Sequence, residues 1–295
     1  IVTQIIASKA PLFEKASIDE FYVDLSGMDV FFDALKWTID LRETITRETG
    51  LPISFGIGKN KLIAKMATNE AKPNGYFQIP IGKEKDFLAP LSVSKIPGVG
   101  TQLNEILNYH GIKLIRDLHQ SSPERLQTLA GNRGFELWNR AQGTHTSVLN
   151  PYREAKSISK ENTFDENITD VNFLLAEIVR MVEKISFELR KDEKSAGCVA
   201  IKIKYPDFTT SSKQVSITST SADEEIIPVA RELFHKLYKK GTPVRLLGVK
   251  VSELNNNAVQ TNLFQHTEKR SGLYKAMDEV KNRFGNTSVF RASGK

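Results

Sequence analysis

Hydrophobic positions change period several times along the chain, and each change marks an element. Residues 16 to 25, Ala-Ser-Ile-Asp-Glu-Phe-Tyr-Val-Asp-Leu, are dense in aromatic and β-branched residues and read as a buried strand ended by Ser26-Gly27. From about Asp33, Leu35, Trp37, Ile39, Leu41 and Ile45 recur at helical spacing until Gly50 and Pro52 stop the run. Ile53 to Ile57 reads as a second short strand. Asn60 is placed to cap a helix whose apolar face is Leu62, Ile63, Met66 and Ala67, and Lys72-Pro73-Asn74-Gly75 is a sharp turn behind it. Strand, helix, strand, helix up to about residue 90 predicts an α/β layer. The chain opens at Ile1, inside what reads as a helix, and is taken as a fragment whose start is missing.

From 91 to 148 the pattern becomes one of short helices. Two of them meet at Ile96-Pro97-Gly98-Val99-Gly100, and a second turn, Leu129-Ala130-Gly131-Asn132-Arg133-Gly134, falls at a similar place in the next pair. Asn150 to Lys156 is a polar linker. Strand (157–164), helix (170–190), strand (198–205), strand (213–219), helix (223–239) and strand (244–251) follow, the βαββαβ order of a ferredoxin-like unit. Val199, Ile201, Ile203 and Tyr205 share one face of their strand, with Ala200, Lys202 and Lys204 on the other. Two helices cover one side of such a sheet and leave the other open. A last amphipathic helix, from about Glu268 to Phe284, presents Leu273, Met277, Val280 and Phe284, and the basic tail from Arg291 to Lys295 is expected to be disordered. The fold class is therefore α/β and α+β, in several domains.

Composition narrows the function. The chain has 295 residues, 40% hydrophobic and 26% charged, a soluble globular balance with no apolar run near the roughly 20 residues that cross a bilayer. A net charge of +6 favours a polyanionic partner. Cys198 is the only cysteine and lies in an apolar run, so it reads as a buried thiol, without a disulfide or a cysteine-based zinc site. The five histidines are scattered without metal-ligand spacing, and no Ser-His-Asp arrangement is recognisable.

The candidate chemistry centres on Asp19 and Glu20, which interrupt an otherwise apolar strand. Two buried carboxylates need a neutralising partner, and a divalent cation with oxygen ligands supplies one; two solvated carboxylates at a turn are the alternative. Neighbouring strand residues point to opposite faces, so the pair can converge only near a strand end or bend. Asp24 lies too far along a regular strand to share the ion. Gly56-Ile57-Gly58-Lys59-Asn60-Lys61 lacks the order of a phosphate loop and reads as a strand-to-helix turn. The helix behind it presents Lys61, Lys65 and Lys72 to a polyphosphate. Ile96 to Gly100 has the form of a helix-hairpin-helix turn, whose glycines let a DNA phosphate approach; a plain helix-helix turn is the other reading. The open sheet face with its Lys, Ser, Thr and Gln is either a solvated surface or a phosphate-contacting platform. Gln260-Thr261-Asn262-Leu263-Phe264 places two large apolar residues in a polar stretch, as a docking peptide does, or packs back on the body.

In this order the motifs Ala16–Gly27, Gly56–Lys61, Ala71–Gly75, Ile96–Gly100 and Gln260–Phe264 resemble the Y-family translesion DNA polymerases, of the DNA polymerase IV type, over nearly the whole chain. The resemblance implies a partial palm (1–90), a helical thumb (91–150), a linker (151–156), a little finger (157–254) and a clamp-binding C-terminal segment (255–295). It implies that Asp19 ligates metal, and that Glu20 ligates or orients the ion that activates the primer 3′-hydroxyl. Lys72 would hold the incoming triphosphate. Ile96, Gly98, Val99 and Gly100 would grip the DNA backbone, with Lys202 and Lys204 on the platform. Gln260, Leu263 and Phe264 would bind a sliding clamp. The reaction implied is two-metal nucleotidyl transfer with Mg²⁺, on primer-template DNA and deoxynucleoside triphosphates, by a cytoplasmic monomer without membrane contact. In the family another metal-binding aspartate and the fingers would precede Ile1, so the fragment by itself is expected not to polymerise. A catalytically silent DNA- or clamp-binding relative, and an unrelated repair enzyme sharing only the helix-hairpin-helix, are the rival readings.

Overall fold

A computed structural model of the chain describes residues 1–28, 33–146, 148–152, 154–256, 267–285 and 288–294. They form two compact units, Ile1–Arg153 and Glu154–Lys295, divided inside the polar stretch expected as a linker.

The first unit opens with helix α1 (Val2–Lys9) and a hairpin of two three-residue strands, β1 (Phe13–Lys15) and β2 (Phe21–Val23). They pair antiparallel, Phe13 opposite Val23 and Lys15 opposite Phe21. The strand expected over 16–25 is thus only three residues long. The amides of Ala16 and Ser17 both donate to the Glu20 carbonyl, at 2.9 and 3.2 Å, and turn the chain back before β2 begins. After β2, the Asp24 carboxylate accepts from the Ser26 amide at 2.9 Å and fixes the next turn.

Helix α2 (Ala34–Thr49) starts on Asp33, whose carboxylate accepts from the amides of Leu35 and Lys36, and stops on Gly50 at φ +72°. Its Leu41 and Ile45 pack with Ile5 and Ile6 of α1 and with Phe13, Phe21 and Val23 of the hairpin. That small core fixes the hairpin against α2. Strands β3 (Phe55–Ile57) and β4 (Tyr76–Gln78) pair in parallel, joined through helix α3 (Lys61–Glu70). The hydrophobic pattern does not single out β4; its pairing with β3 orders it. A Cβ at Gly56 would meet the Ala64 carbonyl at 2.4 Å, so glycine there lets β3 lie directly on α3.

Five short helices follow: α4 (Glu84–Leu88), α5 (Thr101–Tyr109), α6 (Ile115–His119), α7 (Pro123–Ala130) and α8 (Gly134–Ala141). Their buried Leu88, Leu107, Ile115, Leu126 and Leu137 join Leu62, Ile63 and Met66 of α3 in one core. Apolar packing therefore runs unbroken through residue 90.

The second unit is a four-stranded antiparallel sheet with two long helices: β5 (Ser157–Ile168), α9 (Val171–Lys191), β6 (Lys194–Lys204), β7 (Thr210–Thr220), α10 (Asp223–Leu237) and β8 (Val244–Asn256). The strand order is β5-β8-β6-β7. Each helix joins two strands that lie one apart with an antiparallel strand between them, the split βαβ plan expected from the sequence. Val199, Ile201 and Ile203 of β6 are fully buried with Val249 and Val251 of β8 beneath α9 and α10. Each such side chain stabilises the fold by about 1.5–3 kcal/mol. Cys198 is buried and unpaired by disulfide.

The C-terminal residues depart from expectation. Helix α11 (Thr267–Phe284) leaves Leu273 and Phe284 59% and 67% exposed. Met277 and Val280 of the same expected face are half-buried, and polar contacts fix the helix beside them. Asp278 takes Nε and Nη2 of Arg190 at 2.7 and 2.8 Å, and the Tyr274 hydroxyl donates to Asp223 at 2.6 Å. The described part of the tail, residues 291–294, docks as well: Arg291 donates twice to Asp223 at 2.8 Å, and the Gly294 carbonyl accepts from Arg180 at 2.6 Å. Apolar periodicity misses this docking because ion pairs carry it.

Candidate active site and nucleic-acid interface

Asp19 and Glu20 sit in the turn that enters β2, the strand end that lets neighbouring carboxylates converge. Asp19 is exposed; its Oδ1 accepts from the Ser17 hydroxyl at 2.6 Å. That hydrogen bond first, then its own backbone amide and the charges of Lys72 and Lys65, hold its carboxyl below the ordinary range. Burial works against ionisation of Glu20, but Lys65 and Tyr22 outweigh it and its pKa is lowered. Lys65 Nζ lies 2.5 Å from one Glu20 oxygen and the Tyr22 hydroxyl 2.5 Å from the other. Desolvation and the same Glu20 hydrogen bond push the Tyr22 pKa well up, so the phenol stays a donor.

This turn forms one wall of a cleft of about 720 Å³, with Lys65 and Thr68 of α3, Arg42 of α2 and Lys72 on other walls. Lys72 is exposed at the turn behind α3, joined to Pro73 by a cis peptide. The three lysines grouped by sequence therefore part company. Lys61 is committed to the buried Glu14 at 2.6 Å, with its ammonium 5.1 Å from the Tyr22 ring centre. Lys65 is paired with Glu20. Lys72 makes no such close pair among the described residues, and its charge bears on Asp19. The Gly56–Lys61 stretch is the expected strand-to-helix turn: Asn60 accepts from the Ile63 amide and donates to the Gly143 carbonyl. Sequence reasoning missed Arg42, whose guanidinium lies about 6 Å from the Phe55 and Tyr76 rings. Aromatic residues on strands that pair only in the fold gave no linear signal for it.

A cation fits here in part. Two carboxylates lining one cleft can take Mg²⁺ when phosphate oxygens and water complete the shell. The ammonium of Lys65 already stands as a positive partner to Glu20. Among the described residues no group of three or more His, Cys, Asp or Glu side chains converges.

At the helix-hairpin-helix turn, Gly98 has φ +93°, which glycine adopts without strain. Arg140 of α8 donates to the Pro97 carbonyl and braces the turn from below. Gly100 caps α5 without a side-chain hydrogen bond, so the first amides of α5 are left for another acceptor. Ile96 is 2% exposed and Val99 packs against the same core, so these two contribute backbone and anchorage rather than surface.

On the open face of the second sheet, β6 aligns Ala200, Lys202 and Lys204 with Lys250, Gly248 and Leu246 of β8 and with Gln214, Ser212 and Thr210 of β7. Lys202 pairs with Glu161 of β5 at 3.0 Å, reaching across β8 where Gly248 leaves room. Lys204 and Lys250 carry no carboxylate partner among the described residues. Gln260, Leu263 and Phe264 lie outside the described residues.

A carboxylate pair at a strand end, ringed by lysines, suits metal-assisted chemistry on a polyphosphate; a separate sheet with an open basic face suits a polyanion. Comparison with known proteins gives the class a family. Residues 1–69 match the impB/mucB/samB family and residues 155–263 the impB/mucB/samB family C-terminal domain. DNA polymerase IV of Opitutus terrae is 33% identical over 285 residues, covering 95% of this chain and 73% of the relative. DNA polymerase IV of Desulfatibacillum aliphaticivorans is 33% identical over 295 residues, covering 98% and 74%. Among solved structures, a Y-family DNA polymerase chimera of Dbh and Dpo4 aligns with a TM-score of 0.74 at 23% identity over 87% of this chain and 75% of that one. An insertion ternary complex of Dbh DNA polymerase aligns with a TM-score of 0.58 at 23% identity, over 85% and 73%. The chain belongs to the Y-family translesion DNA polymerases, of the DNA polymerase IV (DinB) type.

Proposed function

We propose that this chain carries part of the active site and the DNA grip of a translesion polymerase, with Asp19 and Glu20 as metal-holding carboxylates. The observation that supports the reading is that both line one cleft from a strand end, together with Lys65 and Lys72. Two Mg²⁺ ions, when bound, would activate the primer 3′-hydroxyl and offset charge on the transferring phosphate. The residues' own contributions follow from their contacts. The Ser17 hydroxyl keeps Asp19 ionised and oriented. Tyr22 fixes one Glu20 oxygen, and Lys65 neutralises the other until a stronger cation or a phosphate competes for it. Lys72 would take the triphosphate.

Gly98 and Gly100 would admit a DNA phosphate to the amides at the start of α5, and the open sheet face would follow a DNA backbone through Lys202 and Lys204. Palm (1–90), thumb (91–150) and little finger (157–254) are the functional divisions this reading assigns. Gln260, Leu263 and Phe264 would dock a sliding clamp; this rests on their sequence. The protein would act as a monomer in the cytoplasm, on primer-template DNA and deoxynucleoside triphosphates. No helix among the described residues is long and apolar enough to cross a membrane.

The test is Mn²⁺ binding, read by paramagnetic resonance in the presence of a non-hydrolysable deoxynucleoside triphosphate. The wild-type chain is expected to take up Mn²⁺ in a nucleotide-dependent way, and a variant with both Asp19→Asn and Glu20→Gln to lose that uptake. Equal uptake by both chains would place the metal elsewhere.

A further inference from the structure

The β6–β7 hairpin ends in a feature that local folding does not account for. Tyr205-Pro206-Asp207-Phe208 is a tight turn, closed by the Phe208 amide on the Tyr205 carbonyl at 3.0 Å and the Tyr205 amide on the Thr209 carbonyl at 2.9 Å. Asp207 Oδ1 accepts from both the amide and the hydroxyl of Thr209, so this carboxylate is engaged within the turn. Phe208 then takes φ +64°, a left-handed conformation that glycine or asparagine adopts readily and bulky residues rarely do. Such a position normally carries glycine in a hairpin of this kind. Burial does not compensate, because Phe208 is 61% exposed, whereas Tyr205, at the base of the same turn, is 3% exposed and packed in the core.

Two cations flank the exposed ring. Lys204 Nζ, from the open-face row of β6, lies 4.8 Å from its centre, and the Arg245 guanidinium, from the first residues of β8, lies 4.9 Å from it. Neither cation has a carboxylate partner among the described residues. Both cations lie over the ring and are held by its π-face rather than by a carboxylate. An exposed ring with two such cations matches a ligand with a flat π-face and negative charge beside it, which stacks as the ammonium and guanidinium turn from the ring to that charge. Strain kept at an exposed position is expected where the surface has a task.

We propose that Phe208, with Lys204 and Arg245, is a stacking site for an unpaired base of a nucleic-acid strand. The ring takes the base and the two cations take its neighbouring phosphates, a combination that single-strand-binding surfaces use. This rests on the reading of the second unit as DNA-binding, and it adds a single-strand contact to a platform otherwise suited to phosphate backbone.

The experiment measures fluorescence anisotropy of a labelled oligothymidylate and of a labelled blunt duplex with the full 295-residue chain at fixed salt. Phe208→Gly is expected to weaken oligothymidylate binding roughly tenfold and leave the duplex unchanged. Its melting temperature should stay the same or rise, since glycine relieves the positive φ. Phe208→Trp should keep the affinity, and its indole emission should be quenched by oligothymidylate beyond any change in the wild-type chain. Wild-type affinity of Phe208→Gly for oligothymidylate would overturn the site. So would equal losses on both DNAs, a fall in melting temperature that accounts for the loss, or absence of quenching in Phe208→Trp. If the wild-type chain binds neither DNA, the DNA-binding reading of the second unit falls with it; if the duplex still binds, the stacking site alone is rejected.

Discussion

In the first unit the strands are three residues long, and the hairpin pair β1 and β2 ends in charge; in the second they run from eleven to thirteen residues and spread their charge along one face. The difference decides what each can do. A strand of three residues is mostly ends, and at an end the alternation of side chains breaks down, so Asp19 and Glu20 can face one cleft. A long regular strand cannot converge neighbours. It sets Lys202 and Lys204 two residues apart on a flat surface over a large apolar core, which suits repeated weak contacts with a long polyanion. The charged groups are also stabilised differently. In the cleft, Lys65 and Tyr22 hold Glu20 at short range, whereas on the open face Lys204 and Lys250 have no carboxylate partner among the described residues.

Removing charge from each region separately puts this division of labour at risk. In primer extension by the full-length product of the gene, Asp19→Ala or Glu20→Ala should lower the rate on the order of a thousandfold or more, because several kcal/mol of charge stabilisation disappear. DNA affinity should stay near wild type, since the proposed grip lies on other residues. Extension at the wild-type rate by either variant would move the chemistry away from β2.

The converse experiment acts on the sheet. Lys204→Ala should weaken duplex binding several-fold and reduce the salt slope by about 0.9 for each phosphate that is no longer neutralised. Lys202→Ala should do less, because Lys202 must first leave Glu161. Identical salt slopes for wild type and Lys204→Ala, measured by anisotropy over a salt series, would reject the platform.

The smallest expected effect concerns the C-terminal docking. Burial pushes the Glu183 pKa up, against the Arg291 amide and the charge of Lys281. A carboxyl whose folded pKa is raised costs stability once pH passes the unfolded value of 4.5, increasingly until the folded value, and costs nothing below 4.5. Glu183→Gln should therefore raise the melting temperature slightly at pH 7 and leave it unchanged at pH 4. Asp223 has the opposite sign. Burial opposes its ionisation, but Arg291 and Tyr274 outweigh it and lower its pKa, so its contribution is present above 3.8 and fades as pH falls through the folded value. A gain from Glu183→Gln at pH 4 equal to that at pH 7 would show that charge is not the cause.

Legibility in the sequence follows the range of the interactions. The α2 and α3 helices are legible because Asp33, Asn60 and Gly50 cap them locally. The strands of the second unit are legible because strict alternation records which face is buried, and Val199, Ile201 and Ile203 are fully buried as expected. The strand around Asp19-Glu20 is shorter than its aromatic density predicts, because that density does not reveal that the backbone of Ala16 and Ser17 folds back on Glu20. The last helix leaves Leu273 and Phe284 of its apolar face exposed, and its docking contacts are not legible, because Arg190–Asp278 and Tyr274–Asp223 join residues 88 and 51 positions apart.

The element order of the second unit, its split βαβ plan, the helix-hairpin-helix turn and the carboxylate pair are all written in local period, caps or adjacent residues, and so can be read without the fold, whereas β4 and the β1–β2 hairpin are ordered only by their partners. Which charges meet is settled only once the chain is folded. Tertiary packing gives Lys61 to Glu14 and Lys65 to Glu20, pairs Lys202 with Glu161 across a glycine, and leaves Phe208 exposed between Lys204 and Arg245. Charge pairing depends on distances between residues far apart in the chain, and packing of the apolar core, which the linear pattern encodes only face by face, sets those distances.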